Sequence, residues 1–257
     1  MLKTNLSKKI NPEKKLFKIL KKHSGRDNTG SISVRHQGKR HKRYYRIIDF
    51  KRDKKDVFGK VVGIEYDPNR NAYLAKIEYV DNEKRYILCP KGLKIGDKII
   101  SSEKAEIKTG NSLPIKNIPV GVEIHNLEIS PGMGGKIIRG AGGSAIVIAK
   151  EEKYTHIKLP SGEIRKFLEN CHATIGVVGN ESFKEQIIGK AGRKIRMGIR
   201  PTVRGTAQNP RTHPHGGGEG RVGEGMHPKT PWGKPARGKR TRKKQKWSNK
   251  LIIQRRK

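Results

Sequence analysis

Between residues 61 and 178 the apolar positions recur with a period of two. In Tyr73-Leu-Ala-Lys-Ile-Glu-Tyr-Val80, positions 73, 75, 77 and 79 are apolar while Lys76 and Glu78 are charged. That alternation predicts a strand with one buried face. The turn Asp67-Pro-Asn-Arg-Asn71 separates it from an earlier strand at 61–66, and Asp81-Asn-Glu-Lys84 separates it from a later one at 85–88. The three form a meander, and 97–101 adds a further strand. Some five short strands suit a small closed barrel, which leaves no sheet edge exposed.

A second run of alternating segments follows the linker from Pro114 to Pro119. Strands are expected at 122–129, 136–139, 145–149, 155–159, 163–167 and 174–178, with Gly or Pro at almost every junction. Only about 75 residues are available there, so a second small barrel is expected rather than an extension of the first. Residues 181–188 can form a short helix. Beyond Arg196 the periodicity ends: residues 196–257 hold 10 glycines and 6 prolines, and their one apolar run is Leu251-Ile-Ile253. Such a segment buries too little surface to offset its own ordering entropy and is expected to take its fold from a partner.

Charge identifies the class of that partner. The 257-residue chain is 32% hydrophobic and carries a formal net charge of +36. Residues 1–60 hold 20 Lys and Arg against 5 acids, residues 61–195 hold 21 against 16, and residues 196–257 hold 18 against 2. A balanced middle flanked by two cationic arms implies a polyanion, because each cation placed near a phosphate releases condensed counterions. Membrane insertion is not expected, since no apolar run approaches the roughly 20 residues needed to span a bilayer. The first 22 residues lack the apolar core of a secretory signal and the arginines of a transit peptide. Cys89 and Cys171 stand alone, without ligand spacing for a metal, and read as core or half-buried thiols in a reducing compartment. No metal or cofactor is expected.

Three segments carry candidate chemistry. Arg35-His-Gln-Gly-Lys-Arg-His-Lys-Arg-Tyr-Tyr-Arg46 interleaves cations with two tyrosines. The cations suit phosphates; Tyr44 or Tyr45 either stacks on an unpaired base or sits in the core. Gly189-Lys-Ala-Gly192 has the GxxG spacing of loops that clamp a nucleic-acid backbone, a spacing common in loops generally. The glycine-dense 132–143 lacks the Lys-Ser/Thr ending of a nucleotide-binding loop and reads as a tight turn. The third segment runs Arg200-Pro-Thr-Val-Arg-Gly-Thr-Ala-Gln-Asn-Pro-Arg-Thr-His-Pro-His-Gly-Gly-Gly-Glu-Gly-Arg221. Its glycines permit close approach of backbone to folded RNA, and its arginines add charge at intervals. His213 or His215 with Glu219 as orienter would make a general base on paper, but no nucleophile or pocket accompanies them.

This last tract resembles the hallmark RPTVRGxAMNPxDHPHGGGEGR of large-subunit ribosomal protein two, the L-two family, with Gln208 for the usual Met and Arg211-Thr212 for the commoner Val-Asp. The match continues through His227-Pro-Lys-Thr-Pro-Trp-Gly233. Upstream, Gly25-Arg-Asp-Asn-Thr-Gly30, Tyr45-Arg-Ile-Ile-Asp-Phe-Lys51, Glu65-Tyr-Asp-Pro-Asn-Arg70, Tyr86-Ile-Leu-Cys-Pro-Lys-Gly92 and Asn117-Ile-Pro-Val-Gly121 look like the bacterial or organellar form. Gln37-Gly-Lys-Arg40 replaces a glycine-rich loop usual in the family. The resemblance implies a mainly β chain: a basic arm at 1–24, an OB-like RNA-binding barrel at 25–110, an SH3-like barrel at 111–195 and an extended rRNA-binding tail at 196–257. It implies a non-enzymatic constituent of the large ribosomal subunit that binds large-subunit rRNA and touches neighbouring large-subunit proteins. It also implies contact with small-subunit components, support of subunit association and a tail reaching toward the peptidyl-transferase centre. The ribosome would be that of a bacterial cytoplasm, a plastid or a mitochondrion. RNA contacts are expected at Arg35, His36, Lys39, Arg40, His41, Lys42, Lys190, Arg193, Arg196, Arg200, Arg204, His213, His215, Gly216, Gly217, Gly218, Arg221 and Trp232.

Overall fold

The computed structural model describes residues 14–256. The basic arm expected at 1–24 therefore lies, up to residue 13, outside the described residues. The chain is mainly β and forms two compact units. One unit takes the chain up to Leu20, Arg43–Ile187 and Ser248 onward; the other takes Lys21–Lys42 and Ile188–Trp247.

In the first unit, β1 (Phe17–Ile19) pairs antiparallel with β2 (Tyr44–Arg46). The OB-like barrel is then built on β3 (Gly59–Glu65), β4 (Leu74–Tyr79), β5 (Lys84–Leu88) and β6 (Lys98–Ile99), in the sheet order β5-β4-β3-β6. The expected meander is present. Strand β4, however, is not half-exposed. Ala75, Ile77 and Tyr79 point into one core with Val61, Ile87 and Ile99, whereas Leu74 points into a second core with Ala72, Tyr86, Leu88 and Val178. Lys76, read as a solvent-facing charge, is 5% exposed. The alternation persists because side chains still switch faces, but Leu16, Phe17 and Val178 cover the face that would otherwise meet water. Tyr86 donates its phenolic hydrogen bond to one oxygen of the buried Glu65 carboxylate at 2.8 Å.

The SH3-like barrel follows: β7 (Ser112–Pro114), β8 (Glu123–His125), β9 (Leu127–Glu128), β10 (Gly135–Ile137), β11 (Ala145–Lys150), β12 (Tyr154–Lys158), β13 (Ile164–Leu168) and β14 (His172–Ile175). Ala145 and Val147 enter the core while Ile146 and Ile148 face outward, the period-two pattern in its plain form. The single strand expected at 122–129 is two. Asn126 adopts φ 49°, which turns the chain from the main sheet into the β9–β10 ribbon. Gly135 permits this turn, since a Cβ there would strike the Asn126 side chain.

The expected helix at 181–188 is a single 3-10 stretch, Glu181–Glu185. The apolar run Leu251-Ile-Ile253 also has an unforeseen use: β15 (Ile252–Gln254) pairs antiparallel with β13 and covers that sheet edge.

Candidate nucleic-acid interface

The second unit is built from two basic segments distant in sequence. Gly38 N–H donates to the Gly198 carbonyl (2.8 Å), His41 N–H to Arg196 (3.1 Å) and Arg200 N–H to His36 (2.9 Å). Residues 36–41 and 196–200 thus run antiparallel, with a bridge between Gln37 and Ile199. Gly38 allows the approach, since a Cβ there would lie 2.8 Å from Arg200 Cδ. The Thr202 hydroxyl lies 3.2 Å from His36 Nδ1, and the Lys22 ammonium donates to the Arg40 carbonyl. Upstream, Asp27 accepts hydrogen bonds from the backbone of Thr29 and Ser31 and from the Thr29 hydroxyl. The Thr29 hydroxyl, chiefly, holds its carboxyl below the usual range.

A short helix precedes the crossing. α1 (Ala191–Met197) ends on Gly198 in the left-handed region at φ 94°. The GxxG spacing 189–192 spans its start, and Lys190, Arg193, Lys194 and Arg196 are all exposed. Sequence reasoning missed this helix because seven residues bear no apolar face to register. Arg35, His36, Lys39, His41, Lys42, Arg200, Arg204 and Arg221 are exposed as well, and Arg40 is half-buried. Trp232 is 73% exposed within a turn closed by Thr230 N–H donating to Lys234 and Gly233 N–H donating to Thr230. An indole held open in this way can stack on an unpaired base.

His213 and His215 differ from the other expected contacts. Each is only 8% exposed, and their rings stack with centroids 5.1 Å apart. His215 has backbone groups at both ring nitrogens, with the Glu224 carbonyl 3.0 Å from Nδ1 and the Lys229 N–H donating to Nε2 at 2.8 Å. Gly216, Gly217 and Gly218 also face their own chain, since added Cβ atoms would come within 2.5–2.6 Å of Gln208, Pro210 and Val222 respectively.

Two family models match the chain: the RNA-binding N-terminal domain of ribosomal proteins L2 over residues 13–101, and their C-terminal domain over residues 108–233. The chain belongs to the ribosomal protein L2 family. It is a structural protein of the large ribosomal subunit that binds rRNA, and its OB-like and SH3-like barrels are those of the family.

One cluster on the first unit escaped the sequence reading. Arg139 and Arg70 place their guanidinium carbons 4.5 and 5.0 Å from the centre of the Phe50 ring. Arg70 is steadied by the fully buried Asp67 carboxylate (3.6 Å) and by the Tyr45 hydroxyl (3.4 Å). Asp67 also lies 3.8 Å from Arg46, so the turn read as a hairpin connection doubles as an arginine mount. Arg139 pairs with no carboxylate among the described residues. Burial first, and then the Arg70 charge, hold its guanidinium below the ordinary range. Two cations kept on one ring with incomplete neutralisation can together accept an anion such as a phosphate. The signal was obscured because Arg70 and Arg139 lie 69 positions apart, one in a segment read as a turn and the other at the end of an expected strand.

The glycine-dense 132–143 contains β10, and the turn that leads into that strand is organised from below. The buried Glu128 carboxylate accepts the backbone N–H groups of Gly132 (3.2 Å), Gly134 (2.7 Å) and His172 (2.9 Å).

Proposed function

We propose that the chain grips large-subunit rRNA through two surfaces and thereby steadies the rRNA around the peptidyl-transferase centre and supports subunit association. The first surface is the basic second unit: Arg35, His36, Lys39, Arg40, His41 and Lys42 from one segment, with Lys190, Arg193, Arg196, Arg200, Arg204, Arg221 and Trp232 from the other. The second is the Arg70–Phe50–Arg139 cluster. The observation that carries this reading is the antiparallel crossing of 36–41 with 196–200, which gathers the charge of two remote segments into one compact unit. Gathered cations release more counterions per contact area than scattered ones.

In this reading the boundaries 1–24, 25–110, 111–195 and 196–257 separate arm, barrels and tail. The partners are rRNA, neighbouring large-subunit proteins and small-subunit components, in a ribosome of bacterial, plastid or mitochondrial type. This reading assigns the chain no side-chain catalysis. A general base needs a free ring nitrogen, and backbone groups stand at both ring nitrogens of His215, which removes it as a candidate base.

Binding of full-length protein to large-subunit rRNA transcribed in vitro, titrated with KCl, tests the reading. The logarithm of the association constant should fall by about 0.7–0.9 per phosphate neutralised, with a slope of several. A near-flat slope sinks it. Sedimentation of the tagged protein with dissociated large subunits, and its absence from the small-subunit peak, checks the assignment independently.

A further inference from the structure

We propose that His213 and His215 form a neutral pair locked in opposite tautomers, which sets the loop 204–224 before RNA arrives and so presents Arg204, Arg211 and Arg221 already in place. The assignment follows from which backbone group faces each nitrogen. His213 Nδ1 accepts the His215 backbone N–H at 3.0 Å, so that nitrogen carries no proton and the neutral ring holds its hydrogen on Nε2. His215 is the reverse. Its Nε2 accepts from Lys229 N–H at 2.8 Å and its Nδ1 donates to the Glu224 carbonyl at 3.0 Å, so its hydrogen is on Nδ1.

These bonds join residues that the chain would otherwise leave apart. His215 ties position 215 to 224 and to 229, while the loop start is held by Asn209, whose carbonyl accepts from the N–H groups of Thr212 (2.9 Å) and His213 (3.2 Å). The Asn209 side chain accepts the Arg211 N–H at 3.0 Å. Gly205 closes on the His213 ring, where a Cβ would lie 2.5 Å from Cε1. The three glycines are required by the loop's own packing: Gly216 lies on the Gln208 and Asn209 backbone, while Gly217 and Gly218 take φ 87° and 97°. Arg204, Arg211 and Arg221 remain exposed around this knot. His213 and His215 are positioning residues, and they act on RNA through these arginines.

The proposal rests on the reading that this loop binds rRNA, but its first test does not need RNA. Two-bond proton–nitrogen spectra of the histidine rings in the free full-length protein should show His213 as an Nε2–H ring and His215 as an Nδ1–H ring, each signal identified by single substitution. Rings that average between tautomers as free imidazole does would overturn the lock. The second test uses variants and in vitro transcribed large-subunit rRNA. In His213→Asn the amide oxygen replaces Nδ1 as acceptor for the residue-215 N–H, as in an Asx turn, so affinity stays within about twofold. His213→Ala leaves that N–H without a partner, and affinity falls about tenfold. Gly205→Ala, which pushes the ring aside, should reproduce the alanine loss with His213 intact. Equal losses in His213→Asn and His213→Ala would overturn the proposal, since only an imidazole-specific role predicts them. If wild-type protein fails to bind the transcript while the two tautomers are seen, the rRNA reading falls and the lock stands.

Discussion

Arg139 and Arg70 hold their guanidiniums 4.5 and 5.0 Å from the centre of one ring, that of Phe50. Like charges do not gather on a single ring without a reason. Asp67 accounts for Arg70, but the half-buried Arg139 has no carboxylate beside it among the described residues and makes one hydrogen bond, to the Gly135 carbonyl at 3.4 Å. An anion between them relieves the repulsion, and a phosphate suits two planar guanidiniums.

Arg139→Ala should therefore weaken rRNA binding about tenfold and reduce the salt slope by about one, while thermal unfolding stays within a few degrees of wild type. Arg139→Lys keeps the charge without the planar stack and should lie between the two. Filter binding at three salt concentrations reads all of this. An unchanged slope in the alanine variant would remove the cluster from the interface.

Tyr86 and Glu65 predict a stability effect with no bearing on RNA. Tyr86→Phe leaves the Glu65 carboxylate without its 2.8 Å donor in a buried site, at a cost of about 1–3 kcal/mol. Urea unfolding of the full chain should show a lower midpoint at an unchanged slope. An unaltered midpoint would mean that water or Arg46 replaces the phenol.

His125 makes the barrel acid-sensitive. Its ring is fully buried with Nδ1 2.8 Å from the Gly176 carbonyl, and burial, reinforced by the Arg52 charge, pushes its pKa down to about 4 from 6.5. The unfolded chain then binds the proton more readily than the folded one. The neutral ring's stability is fully present above pH 6.5 and is lost as pH falls towards about 4, by about 3 kcal/mol in all. His125→Gln, which can still donate and cannot titrate, should flatten the dependence of the urea midpoint on pH between 7 and 4.5. Parallel curves for the two proteins would refute this.

Cys89 and Cys171 are both buried, and burial pushes each thiol up to about 12. At pH 8 the native protein should therefore resist iodoacetamide for hours and react at both positions in 6 M guanidinium chloride. Mass spectrometry of the alkylated protein checks it. Rapid native labelling of either thiol would place it at the surface.

Much of the barrel region was legible in the sequence because a sheet writes its burial into neighbouring residues. Ala145–Lys150 buries alternate side chains, as its pattern implied. Reading failed where burial came from elsewhere. Nothing local to Lys76 shows that Leu16, Phe17 and Val178 cover its side of β4. The break at Asn126 depends on one left-handed residue and on a glycine nine positions later. α1 and β15 are too short to establish a period.

The sequence by itself determined the class of partner, the alternation of strands and turns, and the kinship of the tract 200–221, since charge and spacing are properties of the chain taken in order. Only the tertiary structure decided how those residues are used. It joined 36–41 to 196–200, set Arg70 beside Arg139, and turned His213, His215 and the three glycines inward upon their own loop. Residue order shows that a histidine and a glycine can meet RNA; which face water and which face the chain depends on contacts between segments far apart, which no local pattern records.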